Sequence, residues 1–262
     1  MTGATSAAGS LLQAAVEVAR LAGDQAMAHF RERLQVERKT DGSEVTLADR
    51  AAETAAREWI ERRFPADGIL GEEFGIARPD APRRWILDPI DGTASFVRGV
   101  PLWGTLVAVA EGEEVLAGVA YFPAAGEIVA AAPGEGCWWN DARCRVSDVA
   151  EMEQATVLTT DERFVPRPEW RDGWRRLGDA ARVSRSWGDC FGYLMVATGR
   201  AEVMVDPLMS PWDAAAVRPI IEEAGGVFTD WNGTPTAFGG SAIATNARLA
   251  GVARRLFQEP GA

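Results

Sequence analysis

The sequence predicts an α+β fold made of two unlike halves, an N-terminal half on an antiparallel sheet and a C-terminal α/β half. Three observations carry that expectation. Between Leu106 and Ala132, β-favouring runs follow one another across short turns, as in an antiparallel meander. From Thr156 onward, short apolar runs alternate with helical segments, as in a layered α/β unit. Where sheet and chemistry meet, Trp85-Ile86-Leu87 runs into Asp88-Pro89-Ile90-Asp91-Gly92-Thr93, a strand ending in two carboxylates. The boundary is expected near Ser147 to Gln154, giving units 1–148 and 149–262.

At 262 residues, with 47% hydrophobic and 25% charged residues, the chain has the composition of an ordinary soluble protein with a sizeable core. The formal net charge of -11 argues against nucleic-acid or anionic-membrane partners, which require a basic face. No apolar run approaches a membrane span, and Met1 to Ser10 lacks a basic signal region, so a cytoplasmic location is expected. The odd set Cys137, Cys144 and Cys190, with no CxxC, fits free thiols in a reducing compartment. The single histidine, His29, excludes a multi-histidine zinc site and leaves little room for Ser-His-Asp or Cys-His catalysis. It lies beside Phe30 in a helical stretch and reads as structural. Any metal must therefore be held mainly by oxygen, which points to Mg2+, with Mn2+ as the alternative.

In chain order, residues 1 to about 9 read as a frayed start. Leu11, Ala15, Val18, Ala22, Ala26 and Phe30 recur at helical spacing. A charged stretch, Arg31 to Lys39, and a turn, Thr40-Asp41-Gly42-Ser43, follow. Thr46 is placed to cap a second helix, with Asp49 completing a capping box and Ala48, Ala52, Ala55 and Trp59 on its apolar face. Pro65 to Gly68 is a turn, Ile69-Leu70 a short apolar run, and Ala77 to Arg84 a polar loop. Strands are expected at 106–110, 115–122 and 128–132, with turns at Glu111-Gly112-Glu113 and Asn140-Asp141. The second half reads as strand 156–159, helix 169–181, helix 191–198 stopped by Gly199, and strand 201–205. Ser210-Pro211-Trp212-Asp213 opens a helix that runs to Gly225-Gly226, then come strands 227–229 and 242–244 and a closing helix, 248–257.

In the central stretch, Pro89 fixes one backbone dihedral and Gly92 permits a turn that a side chain would obstruct. A strand delivering Asp-x-x-Asp and a free loop is suited to hold divalent cations and a phosphate; an Asp-rich turn closing a strand is the plainer alternative. Asp49 and Asp213 each have helix capping as an alternative role. Both roles are compatible at Asp213, because a helix N-terminus favours the ionised carboxylate that a metal requires.

Asp88-Pro89-Ile90-Asp91-Gly92-Thr93, with Gly71-Glu72-Glu73 upstream and Trp212-Asp213-x-Ala-Ala downstream, resembles the signature of the inositol monophosphatase superfamily. That resemblance runs in order from about Lys39 to the C-terminus. It implies a layered α-β-α-β-α sandwich and a Mg2+-dependent, lithium-sensitive phosphomonoesterase with two or three cations per site. By resemblance, Glu72, Asp88 and the carbonyl of Ile90 bind the first metal. Asp88 bridges to a second, which Asp91 and Asp213 complete, and Glu72 helps hold a third. Thr93, hydrogen-bonded to Asp49, contacts the water that attacks phosphorus directly, with no phosphoenzyme. Backbone N–H groups of Gly92 and Thr93 take phosphate oxygens. Lys39 and Glu73 match residues near the family's site, and family members are commonly homodimers.

Ser95 to Leu106, Trp187-Gly188-Asp189-Cys190-Phe191-Gly192-Tyr193 and Val203 to Pro207 resemble the histidinol-phosphate phosphatase branch, which acts in histidine biosynthesis. Its substrate carries an ammonium and an imidazole, so Asp189 and Asp206, with Arg185 nearby, are candidate substrate-binding residues. A turn role for Asp206 and an N-cap role for Asp189 stay open. So do an inositol or broad sugar-phosphate substrate, and a non-catalytic role beside the transcription machinery.

Overall fold

The computed structural model describes residues 7–32, 36–38, 44–165 and 167–258. Lys39, the expected turn Thr40 to Ser43, residues 1–6 and residues 33–35 of the charged stretch lie outside the described residues. Helix α1 (Ala7–Met27) buries an alanine-rich face, Ala14, Ala15, Val18, Ala19, Ala22 and Ala26, which lets its backbone come close to whatever it covers. The short pair β1 (Glu37–Arg38) and β2 (Glu44–Val45) leads into α2 (Leu47–Arg63). The expected capping box is present, with Thr46 capping and Asp49 reciprocating.

The large sheet is formed by β3 (Gly68–Gly71), β4 (Gly75–Ala77), β5 (Arg83–Asp91), β6 (Gly104–Glu111), β7 (Glu114–Phe122), β8 (Glu127–Ala132), β9 (Gly136–Trp139) and β10 (Ala142–Arg143). Its order is β10-β9-β8-β7-β6-β5-β3-β4. The meander from β5 to β10 is antiparallel, as expected. The sheet is mixed, however, because β3 runs parallel to β5. The expected loop 77–84 also begins in a strand, the short exposed edge β4.

The small sheet is formed by β11 (Thr156–Thr159), β12 (Val183–Arg185), β13 (Val203–Asp206), β14 (Val227–Thr229) and β15 (Ala242–Thr245), in the order β12-β11-β13-β15-β14. β11 lies parallel to β12 and β13, whereas β15 is antiparallel to both neighbours. The remaining helices are α3 (Thr93–Phe96), α4 (Arg171–Ala180), α5 (Asp189–Ala197), α6 (Pro211–Glu223) and α7 (Ala250–Gln258).

Alternation of side chains along the strands sorts the core into three clusters and sets the layers. Trp85, Leu87, Val107, Val109 and Val119 face α1 and α2. Ile86, Leu106, Ala108 and Phe122 point the other way, into a cluster with Leu194 of α5 and Ala215 and Ile220 of α6. Leu158, Met204 and Ala244 of the small sheet close that cluster from beyond. Val157, Val203, Val205 and Ile243 bury the opposite face of the small sheet against Trp174 and Leu177 of α4 and Phe257 of α7. The result is the expected layering, helix-sheet-helix-sheet-helix. Every strand of the large sheet precedes residue 148 and every strand of the small sheet follows it, while the middle helices share their core with both. Contact between α6 and the large sheet depends on Gly118, where a Cβ would stand 2.2 Å from the carbonyl oxygen of Ala216.

Candidate active site

The site grows from the point where β5 leaves its ladder. Pairing with β6 is regular from Arg83 to Asp88, then shifts before resuming at Asp91. Pro89 has no N–H to offer the ladder, and its carbonyl is taken instead by the Thr105 hydroxyl at 2.8 Å. The N–H of Ile90 turns back to Asp88 Oδ1 at 3.1 Å. The strand thus continues through both carboxylates, four residues beyond the expected end at Leu87, with a bulge that directs Asp88 and Asp91 to one place. Gly92 then turns in the left-handed region, φ 88°, and opens α3.

Asp213 arrives from the other side on the first turn of α6. Its Oδ2 accepts the N–H of Ser210 at 2.7 Å, so it is both a capping-box residue and a member of the site. Carboxylate oxygens of Asp88, Asp91 and Asp213 all lie within 4.8 Å of one another. Helix α5 docks on the same cluster, the Cys190 N–H donating to Asp91 Oδ2 at 2.5 Å. Burial, then the charges of Glu72, Asp91 and Asp213, push the Asp88 carboxyl well above its ordinary range. Asp91 is raised by burial and by Asp189 and Asp213, and Asp213 is pushed up to about 7, mainly by burial. Asp49 is raised by burial as well, with Glu72 adding to it, and its Oδ1 is buried without a hydrogen-bond partner.

A set of crowded oxygen donors, one of them orphaned, whose ionised forms repel each other, fits a bound divalent cation. Of the free thiols, Cys137 and Cys144, with sulfurs 3.3 Å apart, are not among those donors, whereas the buried Cys190 thiol lies against the cluster, 3.9 Å from the Asp91 carbonyl oxygen. His29 sits near Glu32 at 3.7 Å at the end of α1.

Two expectations about hydroxyl and charge partners are corrected. The Thr93 hydroxyl donates to the carbonyl of Ile90 at 3.0 Å, not to Asp49. Both polar groups of Thr46, its N–H and its hydroxyl, occupy Asp49 Oδ2 at 2.7 Å, so the capping role holds that carboxylate to its own helix. Arg185 is not at the cavity. It is exposed on edge strand β12, and its Nη1 donates to the Ser184 carbonyl at 2.7 Å.

Beside the acidic cluster opens a cavity of about 560 Å³, lined by Asp91, Asp189, Tyr193, Asp206, Met209 and Asp213 among others. Asp206 is buried, with Tyr193 Oη donating to its Oδ2 at 2.9 Å and the Thr160 N–H approaching Oδ1 at 3.3 Å. Asp189 takes a left-handed φ of 51°, which its N–H bond to Thr160 Oγ1 at 2.8 Å helps to hold. Burial, then Asp206 and Asp213, push the Asp189 carboxyl up to about 7. The sequence reading missed Thr160 and Tyr193 as the residues that fix these two carboxylates. Tyr193 stands four residues after Asp189, so helical spacing could have placed it on the cavity side; Thr160, just past the end of β11, gives no local signal.

Comparison with known proteins follows this geometry closely. Residues 8–259 match the inositol monophosphatase family. A histidinol-phosphatase from Chlorobaculum parvum is 44% identical over 88% of this chain and 90% of its own. One from Mycobacterium tuberculosis is 39% identical over 82% and 85%. The solved inositol monophosphatase of Zymomonas mobilis superposes with a TM-score of 0.87 at 31% identity, covering 97% of this chain and all of that one.

Proposed function

The chain belongs to the inositol monophosphatase family, and from that premise we propose that it hydrolyses histidinol phosphate to histidinol and inorganic phosphate. The observation that carries the substrate is the acidic lining of the cavity's far wall. Asp189 and Asp206 face a space next to the metal-type cluster, where a phosphate ester's alcohol would lie. An ammonium and an imidazolium find partners there, whereas a neutral polyol would leave two carboxylates without a cation. The histidinol-phosphatase names borne by relatives at 44% and 39% identity support the same substrate.

The family is metal-dependent, and the cation we assign is Mg2+, with Mn2+ as a substitute, because the donors are oxygens. Asp88, Asp91, Asp213, Glu72 and the Ile90 carbonyl would hold it. When bound, divalent cations neutralise phosphate charge and acidify water. The remaining roles belong to the chain. Thr93 donates its hydroxyl hydrogen bond to Ile90 O, so its oxygen is oriented to accept a hydrogen bond from the attacking water. Asp49, with its orphaned oxygen, stands beside Glu72 as a further anchor. Backbone N–H groups of Gly92 and Thr93 receive phosphate oxygens, and Tyr193 keeps Asp206 turned to the cavity.

Among the described residues no helix is long and apolar enough to cross a membrane. A cytoplasmic location is supported by three free thiols, and a homodimer by the family resemblance. Phosphate release from histidinol phosphate and from inositol 1-phosphate, compared under Mg2+, tests the substrate. Preference for histidinol phosphate is expected; preference for inositol 1-phosphate would move the reading to the family's other branch.

A further inference from the structure

Glu53 has no place in the chemistry above, yet it is a wholly buried carboxylate, 0% exposed, on a helix that points at the site. It stands four residues after Asp49, so the two carboxylates follow one another on one face of α2. Its oxygens reach the loop between β3 and β4. The N–H of Glu73 donates to Oε2 at 2.8 Å, and the N–H of Phe74 approaches Oε1 at 3.2 Å. Two successive backbone N–H groups converging on one anion make a nest, here filled by the chain's own side chain. Arg57 completes the arrangement, Nε donating to Glu53 Oε1 at 2.7 Å and Nη2 to the Gly75 carbonyl at 2.5 Å. The loop's other end is fixed by the Glu72 N–H on the Leu87 carbonyl at 3.2 Å. Gly71 supplies the room: a Cβ there would stand 2.0 Å from Glu53 Oε1.

The residue this loop delivers is Glu72, whose charge is felt by Asp49, Asp88 and Asp213. We propose that Glu53 is a positioning residue that, with Arg57 and Gly71, clamps the Glu72–Phe74 loop so that Glu72 is held at the acidic cluster. The inference rests on the metal-binding reading of that cluster. A carboxylate is required because three donors converge on Glu53. A glutamine has one acceptor oxygen, and its amide would turn N–H against N–H at Glu73 or against Arg57. The loop then loses its anchor, Glu72 spreads over several positions, and the cation it helps to bind is held less tightly while the other carboxylates stay in place.

The test is the affinity for Mn2+ without substrate, read by calorimetric titration or electron paramagnetic resonance, in wild type, Glu53→Gln and Gly71→Ala. Both variants are expected to bind Mn2+ at least about tenfold more weakly, roughly the loss of one charge-assisted contact. The Mg2+ concentration for half-maximal phosphatase activity is expected to rise in parallel. The maximal rate should recover as Mg2+ reaches saturation, and KM for histidinol phosphate should stay within about twofold. Wild-type Mn2+ affinity in a folded Glu53→Gln protein overturns the proposal. Should Glu53→Gln fail to fold, Arg57→Lys carries the test: it keeps the charge but cannot bridge Glu53 and Gly75, and unchanged affinity there overturns the clamp. A wild-type protein that binds no Mn2+ refutes the metal reading itself. One that binds Mn2+ but ignores histidinol phosphate refutes only the substrate.

Discussion

At the scale of single residues, the two carboxylates of the far wall differ in what each is free to do. Both oxygens of Asp206 are approached by protein donors, Thr160 and Tyr193, so this residue also helps the wall to stand. Asp189 offers its N–H to Thr160, leaving its side chain at the cavity beside Asp91. Removing the charge from a partly desolvated partner of a cationic ligand costs a few kcal/mol, so Asp189→Asn should lower kcat/KM for histidinol phosphate by roughly tenfold to a thousandfold. Hydrolysis of a small uncharged aryl phosphate should change little, since its phosphate meets the same machinery. Parallel loss on both substrates would mean that Asp189 supports the acidic cluster and does not read the alcohol. The carboxylates were visible in the sequence because a motif quoted them. Their supports were not, because Thr160 is distant in sequence and meets Asp206 through the parallel pairing of β11 and β13, and Asp189 at the start of α5.

At the scale of elements, the two helix starts that the sequence reading left with two roles differ in how far each joins the site. The capping boxes of α2 and α6 are both formed, but only the acidic residue of the α6 box, Asp213, lies in the cluster with Asp88 and Asp91, while Asp49 feels the charge of Glu72 from α2. Capping chemistry can therefore be separated from charge. Asp213→Asn keeps an acceptor for the Ser210 N–H, so α6 should still start at the same residue. It removes one charge from a cluster whose members raise one another, so the metal-free protein should unfold at a higher temperature than wild type. Activity should fall at least about a hundredfold, as weakening a metal's charge stabilisation by a few kcal/mol requires. An active variant with lowered stability would leave Asp213 as a cap alone. Strongly β-favouring elements were legible even when short: β11 and β14 match the expected limits. Edge strands β4 and β12 were not, because Gly-Ile-Ala and Val-Ser-Arg carry no run of β-favouring residues, unlike the equally short edge strand β14, Val-Phe-Thr. The extension of β5 through Asp88 to Asp91 was hidden by Pro89 and Asp, which read as turn residues until the Thr105 hydroxyl is seen to take the Pro89 carbonyl and the ladder to resume at Asp91.

At the scale of the molecule, the site lies where the layers meet, and its charge is a load on the whole fold. Asp88 and Asp91 come from the large sheet, Asp213 from a helix in the middle layer, and Asp91 is held by the N–H of Cys190 on α5. Separating the layers would relieve the repulsion, so the metal-free protein carries its cluster at a cost that depends on pH. Asp189 and Asp213 titrate near 7 when folded, against an ordinary value of 3.8. The folded state thus binds more protons than the unfolded chain between those values, and stability falls as pH rises through that window. Below it, both states are protonated and the stability is fully present; above it, the loss is complete. Divalent cations bind the ionised carboxylates, so protons compete with them and their stabilising effect should grow with pH across the same window. Thermal unfolding of chelated protein should therefore fall in temperature from about pH 5 to about pH 8, while the rise on adding Mg2+ should be small at the lower value and large at the upper. Chelation should abolish phosphatase activity, Mg2+ or Mn2+ should restore it, and Li+ should inhibit it. A chelated protein whose unfolding temperature rises with pH, or whose activity survives chelation, would show that this cluster does not need a cation.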